Sequence, residues 1–252
     1  MHRSTRRQFV DGVATGLLLA KQRAASAAMP LKAVVFDAFP ILDPRPVATL
    51  AERLLPGQGA RLSDLWRIRQ FENAWLRTLS HRYADFWRVT EDALLFASNA
   101  LAIDLTDENR RRLMGAWLKL TCWPDDPASL GALKSRGLKL ALLSNMTPQM
   151  LEAGLENSGL EKEFDGVFST DSVKAYKRDP RAYGMAVDAF RARIGEILFV
   201  AFAGWDAAGA RSFGYRTFWV NRQSQPPEEL GTAADAAGTS MNDLVAYVEA
   251  HH

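Results

Sequence analysis

Asp37 ends the apolar run 31–36 and is followed by Ala38 and Phe39 instead of a second carboxylate. A short β-branched run that stops at one acid has the form of a buried strand bringing a nucleophile to the edge of a sheet. Comparable positions recur along the chain. Ser144-Asn145 closes the run 138–143, Lys177 lies in Ala175-Tyr176-Lys177-Arg178-Asp179-Pro180, and Asp206 ends Val200-Ala201-Phe202-Ala203-Gly204-Trp205-Asp206. A carboxylate nucleophile, a hydroxyl and amide pair, a lysine and a second carboxylate form a coherent set for covalent catalysis. Each also has an ordinary structural use: Ser144 and Asn145 as turn caps, Lys177 as a solvated loop residue, Asp206 as the N-cap of a helix ending near Gly214. Their joint order and spacing carry the catalytic reading.

The elements that must position these groups follow from the hydrophobic pattern. Apolar runs predict strands at 33–36, 138–143, 166–169, 197–200 and 217–220, several of them unbroken as in the interior of a parallel sheet. Thr147-Pro148 starts a helix that Gly159 stops, and Asp179-Pro180 starts another over 181–194. Strand and helix alternate after residue 124, which predicts a doubly wound parallel-sheet, Rossmann-like α/β core that binds ligands beyond the carboxyl ends of its strands. The core is expected over 30–44 and 124–252, interrupted by a helical cap at 45–123 with helices near 63–82, 90–101 and 106–120. Within the first of these, Trp66, Phe71, Trp75 and Leu79 fall at near-helical spacing and read first as an apolar helix face. The small-residue segment 231–240 reads as an exposed loop.

The first residues read as an address. Thr5-Arg6-Arg7-Gln8-Phe9-Val10, the weakly apolar stretch 12–20 and Ala25-Ser26-Ala27 stand in the order of a twin-arginine export signal with a small-residue cleavage site, predicting periplasmic delivery of the chain after residue 27. Export should then fail when Arg6 and Arg7 are replaced by lysine. The apolar stretch is far shorter than the roughly 20 residues of a membrane span, so stable insertion is not expected. Removing residues 1–27 takes away five basic side chains and one acidic one, turning the formal net charge from +2 to −2. That argues against a nucleic-acid partner. Cys122 is the only cysteine, which excludes an intrachain disulfide, and with no histidine near it reads as a small core residue. His81 is the only histidine away from the chain ends, which disfavours a serine or cysteine hydrolase.

With these residues in view, the chain resembles the haloacid dehalogenase superfamily, and within it the type II (S)-2-haloacid dehalogenases. The likeness runs from about Leu31 to Arg222 and rests on Val35-Phe36-Asp37-Ala38-Phe39, Leu65-Trp66-Arg67, Leu142-Leu143-Ser144-Asn145, Tyr176-Lys177 with Tyr183, and Trp205-Asp206-Ala207-Ala208-Gly209-Ala210-Arg211. The resemblance implies attack by Asp37 on C2 of a short 2-substituted carboxylic acid, with Lys177 and Asp206 handling the water that cleaves the resulting ester. It further implies that Arg67 binds the substrate carboxylate or the departing halide, that Ser144, Asn145 and Tyr183 position the substrate, and that Trp205 walls an apolar pocket. A homodimer built from cap and core helices is a further implication.

Phe39 sits where the superfamily's phosphatases carry an aspartate that protonates the leaving alcohol. Halide leaves without a proton, so an apolar residue there suits dehalogenation, and a drier pocket leaves the attacking carboxylate less solvated. Asp206 stands without the additional acidic ligand of magnesium-dependent relatives, so no metal and no other cofactor is expected. The chain also departs from the type II pattern: Pro40-Ile41-Leu42 replaces glycine, threonine and leucine, and Ala201 and Ala203 replace serine and asparagine. Each lost hydrogen bond is worth on the order of 1 kcal/mol. Three readings therefore stay open: 2-haloacid hydrolysis with substitute contacts, attack by Asp37 on another carbon electrophile such as azetidine-2-carboxylate, and an exported small-carboxylate binder of weak activity.

Overall fold

The computed structural model describes residues 29–251, and the export signal expected over 1–27 lies outside them. The sheet contains β1 (Ala33–Phe36), β2 (Lys139–Ser144), β3 (Gly166–Ser169), β4 (Ile197–Ala201), β5 (Arg216–Val220) and β6 (Ala236–Gly238). Every pairing is parallel, in the order β3-β2-β1-β4-β5-β6. The chain winds outward from β1 through β2 and β3, then returns to place β4 on the other side of β1. That reversal opens the crevice at the carboxyl ends of β1 and β4 where ligands bind in open α/β sheets.

Strand residues alternate between two cores. Val34, Phe36, Leu140, Leu142, Leu198 and Val200 join one apolar cluster, and Ala33, Val35, Ala141, Leu143, Ile197 and Phe199 join the other. Burial on both faces explains why these strands read as continuous apolar runs. Phe36 lies level with Leu142 of β2 and Val200 of β4, so the residues that follow these strands emerge at one edge.

A single turn, α1 (Ala38–Ile41), follows β1 directly, and α2 (Arg45–Leu54), α3 (Gly59–Leu79), α4 (Phe86–Ala100) and α5 (Asp107–Ala116) are inserted before β2. The remaining α-helices are α6 (Asp126–Lys134), α7 (Pro148–Ser158), α8 (Pro180–Phe190), α9 (Gly204–Phe213) and α10 (Met241–His251). Capping chemistry sets several of these ends. Thr147 Oγ1 accepts from Met150 N and Gly159 closes α7 in the left-handed region at φ 65°, as the sequence predicts. The helix expected over 90–101 instead starts at Phe86, because Asp85 Oδ1 accepts from Arg88 N at 2.8 Å. The helix expected to reach residue 194 stops at Phe190, where Arg191 turns left-handed at φ 48°.

The segment 231–240, expected to be a loop, contributes the edge strand β6, in register with Phe218–Val220 of β5. It was hidden because a short edge strand needs no apolar face. Leu79, expected on an apolar helix face, is 77% exposed, while Trp66 at the other end of that stripe is buried. The insertion shares a core with the sheet: Leu62, Trp66, Val89, Leu113 and Trp117 belong to the same cluster as Phe36, Phe39 and Leu142. Among the described residues no helix is long and apolar enough to cross a membrane.

Candidate active site

Asp37 leaves β1 with its N–H donating to Val200 O at 2.9 Å, which ties it to β4. Its Oδ2 accepts a long bond from Phe39 N at 3.4 Å, and its Oδ1 accepts from Lys177 Nζ at 2.7 Å. Lys177 Nζ also donates to Asp206 Oδ2 at 2.8 Å, and Asp206 Oδ1 accepts from the Tyr183 hydroxyl at 2.7 Å. Asp206 lies in the first turn of α9, two residues beyond its start at Gly204, and not at the N-cap, which is Ala203. A carboxylate there faces the positive end of the helix dipole. Gly209, one turn further on, is required by this arrangement: a Cβ there would lie 2.5 Å from the Tyr183 hydroxyl oxygen.

Lys177 is 1% exposed and is therefore no solvated loop residue. Taking a lone ammonium out of water costs several kcal/mol, and the flanking carboxylates offset that cost. Its loop is held on both sides. Lys177 N donates to Asn145 Oδ1 at 2.9 Å, while Tyr176 N donates to Thr78 Oγ1 at 3.1 Å and the Tyr176 hydroxyl to Ala84 O at 2.5 Å. Asn145 thus acts through the lysine loop as well as on the cavity. Burial works against the Lys177 ammonium, but Asp206 and Asp37 outweigh it and hold its pKa above the ordinary lysine value. Burial pushes the Asp206 carboxyl upward, opposed by Lys177. The Tyr183 phenol is driven well up by burial and by Asp206, so it stays a donor.

Asp37, Phe39, Arg67, Phe71, Phe86, Ser144, Asn145, Met146, Phe202, Ala203 and Trp205 line one cavity of about 10 Å³. That is room for about one water molecule, so a substrate enters only if the wall moves. Arg67 comes from α3. Its guanidinium lies 4.2 Å from the Phe39 ring centroid and 4.6 Å from that of Phe71, and Nη1 donates to Gln70 Oε1 at 2.9 Å. Gln70 is oriented in turn by donating to Thr90 Oγ1 at 2.6 Å. Among the described residues Arg67 forms no salt bridge, so its remaining donors are available to an anion. Burial pulls its pKa down to about 10, with Asp37 working against the fall, and it stays cationic at neutral pH.

The structure therefore unites Asp37, Lys177 and Asp206 in one hydrogen-bonded chain, and brings Phe39, Arg67, Ser144, Asn145 and Trp205 to one cavity beside it. Tyr183 is buried with its hydroxyl donating to Asp206, and it is not among the residues that line the cavity, so in this arrangement it orients the carboxylate. Ser144 lines the cavity while its Oγ also accepts from Met146 N at 3.2 Å. The aromatic stripe of α3 is partly site wall, since Phe71 and Trp75 pack on Trp205 at 5.0 and 5.2 Å. Of the positions that lack the expected polar group, only Ala203 lines the cavity, whereas Ile41 and Ala201 are buried in the two cores. Gln70 and Thr90 escaped sequence reading, although a glutamine on the buried side of a helix one turn after Arg67 was a usable signal. Among the described residues no group of three or more His, Cys, Asp or Glu side chains is placed to hold a metal ion.

A parallel, Rossmann-like sheet presenting a buried aspartate–lysine–aspartate chain beside an apolar, arginine-bearing cavity is the architecture of an α/β enzyme equipped for covalent catalysis by a carboxylate. The chain belongs to the family described as haloacid dehalogenase-like hydrolase, whose profile matches residues 15–214. It is 41% identical over 220 residues to the (S)-2-haloacid dehalogenase of Pseudomonas sp. strain YL, spanning 87% of this chain and 95% of that protein. A solved L-2-haloacid dehalogenase superposes with a TM-score of 0.86 at 42% identity, covering 87% of this chain and 99% of its own. The Xanthobacter autotrophicus L-2-haloacid dehalogenase with chloropropionic acid covalently bound superposes at 0.81 with 33% identity, covering 88% of this chain and 100% of its own.

Proposed function

We propose that this chain hydrolyses the carbon–halogen bond of short (S)-2-haloacids to (R)-2-hydroxyacids through an ester at Asp37. The observation that carries the reading is Lys177 Nζ bridging Asp37 Oδ1 and Asp206 Oδ2 beside a cavity that also holds Arg67. Arg67 pairs with the substrate carboxylate and presents C2 to Asp37. A carboxylate oxygen of Asp37 forms the new bond to C2 from the side opposite the halogen, and halide leaves with the bonding electrons, inverting the centre. Water then adds to the Asp37 carbonyl carbon, giving up its proton to Asp206 while Lys177 supplies positive charge. Collapse of that adduct expels the hydroxyacid's C2 oxygen, which takes the proton held by Asp206, and Asp37, freed as the carboxylic acid, loses its own proton to solvent, so one halide and one proton are released per hydroxyacid.

The aromatic wall of Phe39, Phe71 and Trp205 supports this chemistry in two ways. It excludes bulk water that would solvate Asp37, and it leaves no proton donor of the kind a phosphoryl leaving group needs. Purified protein is expected to release halide from (S)-2-chloropropionate and not from the (R) isomer. Release from neither, together with conversion of azetidine-2-carboxylate to an amino hydroxyacid, would redirect the reading to another carbon electrophile.

The pH dependence follows from the charges that each step uses. Arg67 must be cationic to bind the carboxylate, and its pKa is about 10, so kcat/KM should hold level through neutrality and fall as pH rises past that value. Lys177, held above its ordinary value, should lose its proton later. Asp206 must be ionised to accept the water's proton, and its pKa is raised. The acid limb of kcat should therefore lie above the ordinary aspartate range. An alkaline fall centred near neutral pH would contradict these assignments.

A further inference from the structure

The single turn α1 follows the nucleophile and is too short to satisfy its own carbonyls. Leu42 N takes Ala38 O, and the next three oxygens are captured from elsewhere in the chain. Trp123 Nε1 donates to Phe39 O at 3.0 Å, Arg222 Nη2 to Pro40 O at 3.2 Å, and Trp123 N to Ile41 O at 3.1 Å. Trp123 lies just before α6, where the chain returns from the inserted helices, and Arg222 lies just beyond β5.

The captors are themselves fixed. Arg222 pairs with Asp125 at 2.9 Å and with the fully buried Asp126 at 3.1 Å, and Asp126 Oδ2 accepts from Trp123 N at 2.9 Å. The guanidinium groups of Arg222 and Arg45 lie 4.5 and 4.2 Å from the Trp123 ring centroid, and Arg45 is held by Asp43. Asp43 N in turn donates to Thr121 O at 2.9 Å, so both crossings between core and insertion meet at this cluster.

We propose that Arg222, with Trp123, is a positioning residue for the nucleophile: by clamping the carbonyls of residues 39–41 it sets the line of attack of Asp37. The clamp supplies from outside the donors that so short a turn cannot provide for its own carbonyls. This inference rests on the reading of Asp37 as nucleophile.

Single-turnover halide release from (S)-2-chloropropionate, with enzyme in saturating excess, reports the attack step. Arg222→Gln is expected to slow it by about tenfold while KM changes by less than about twofold, and Arg222→Lys, which keeps a charged donor, should recover most of the rate. An unchanged attack rate, or a loss confined to KM, would overturn the proposal. Should Arg222→Gln fail to fold because Asp126 is left unpaired, Trp123→Phe decides: it keeps the ring, removes the donor to Phe39 O, and must also slow the attack. No halide from the unaltered chain would overturn the dehalogenase reading, and this inference with it.

Discussion

Asp37→Asn is expected to abolish halide release, lowering kcat by about four orders of magnitude or more. The amide is close in shape to the carboxylate and can still accept from Lys177, so the fold and Arg67 are left in place. What disappears is the anionic oxygen that attacks C2. Circular dichroism and substrate binding should therefore match the parent chain while turnover does not. A companion experiment assigns the role directly. In a single turnover in heavy-oxygen water, the hydroxyl of the first product should come from Asp37 and carry no label. Label in that product would mean that water attacks C2 itself, and Asp37 would then be at most its base.

Asp206→Asn should separate the two half-reactions. Its amide can keep an oxygen toward Lys177 and turn its NH₂ toward the Tyr183 hydroxyl, which lie at 2.8 and 2.7 Å from the carboxylate oxygens. Lys177 then retains Asp37 as its charged partner, so attack on C2 survives. The water step loses its base, and general-base catalysis contributes about 100-fold or more. Halide should appear in a rapid burst of about one equivalent per chain, followed by slow turnover. Mass spectrometry should then find the substrate's 1-carboxyethyl group, held as an ester, on the peptide that contains Asp37. Turnover slowed without a burst or an adduct would place Asp206 in the first step instead.

Much of the site is visible along the chain because parallel strands announce themselves. β1, β2 and β4 are buried on both faces, so each reads as an apolar run, and the polar residue that ends the run marks the edge of the sheet. Asp37 and Ser144-Asn145 are found in this way, and Asp206 by its place just beyond β4. Phe39 is equally legible, since its position relative to Asp37 is fixed by local chain geometry. Arg67 was reached only through resemblance, because nothing in a helical segment says which basic residue turns inward.

Other features depend on residues far apart in sequence. Tyr183 gains Asp206 as a partner only when α8 packs on α9 and Gly209 admits its hydroxyl. Gln70 acquires its role only when α4 lays Thr90 beside it. The absent polar groups at Ile41 and Ala201 look like damage to the site in sequence, yet both positions lie in apolar core, and only Ala203 opens on the cavity.

By itself the sequence determined the α/β alternation, the acid at the end of the first strand and the apolar residue two places after it. These follow from hydrophobic periodicity and from neighbours a few bonds apart. Tertiary structure alone decided that Lys177 lies between two carboxylates, that the half-buried Arg67 lies against Phe39 and Phe71 with its remaining donors free for an anion, and that Trp123 and Arg222 hold the turn behind the nucleophile. Those depend on strand order, on helices closing over a sheet edge and on the cost of burying charge without a partner, and no local pattern encodes them.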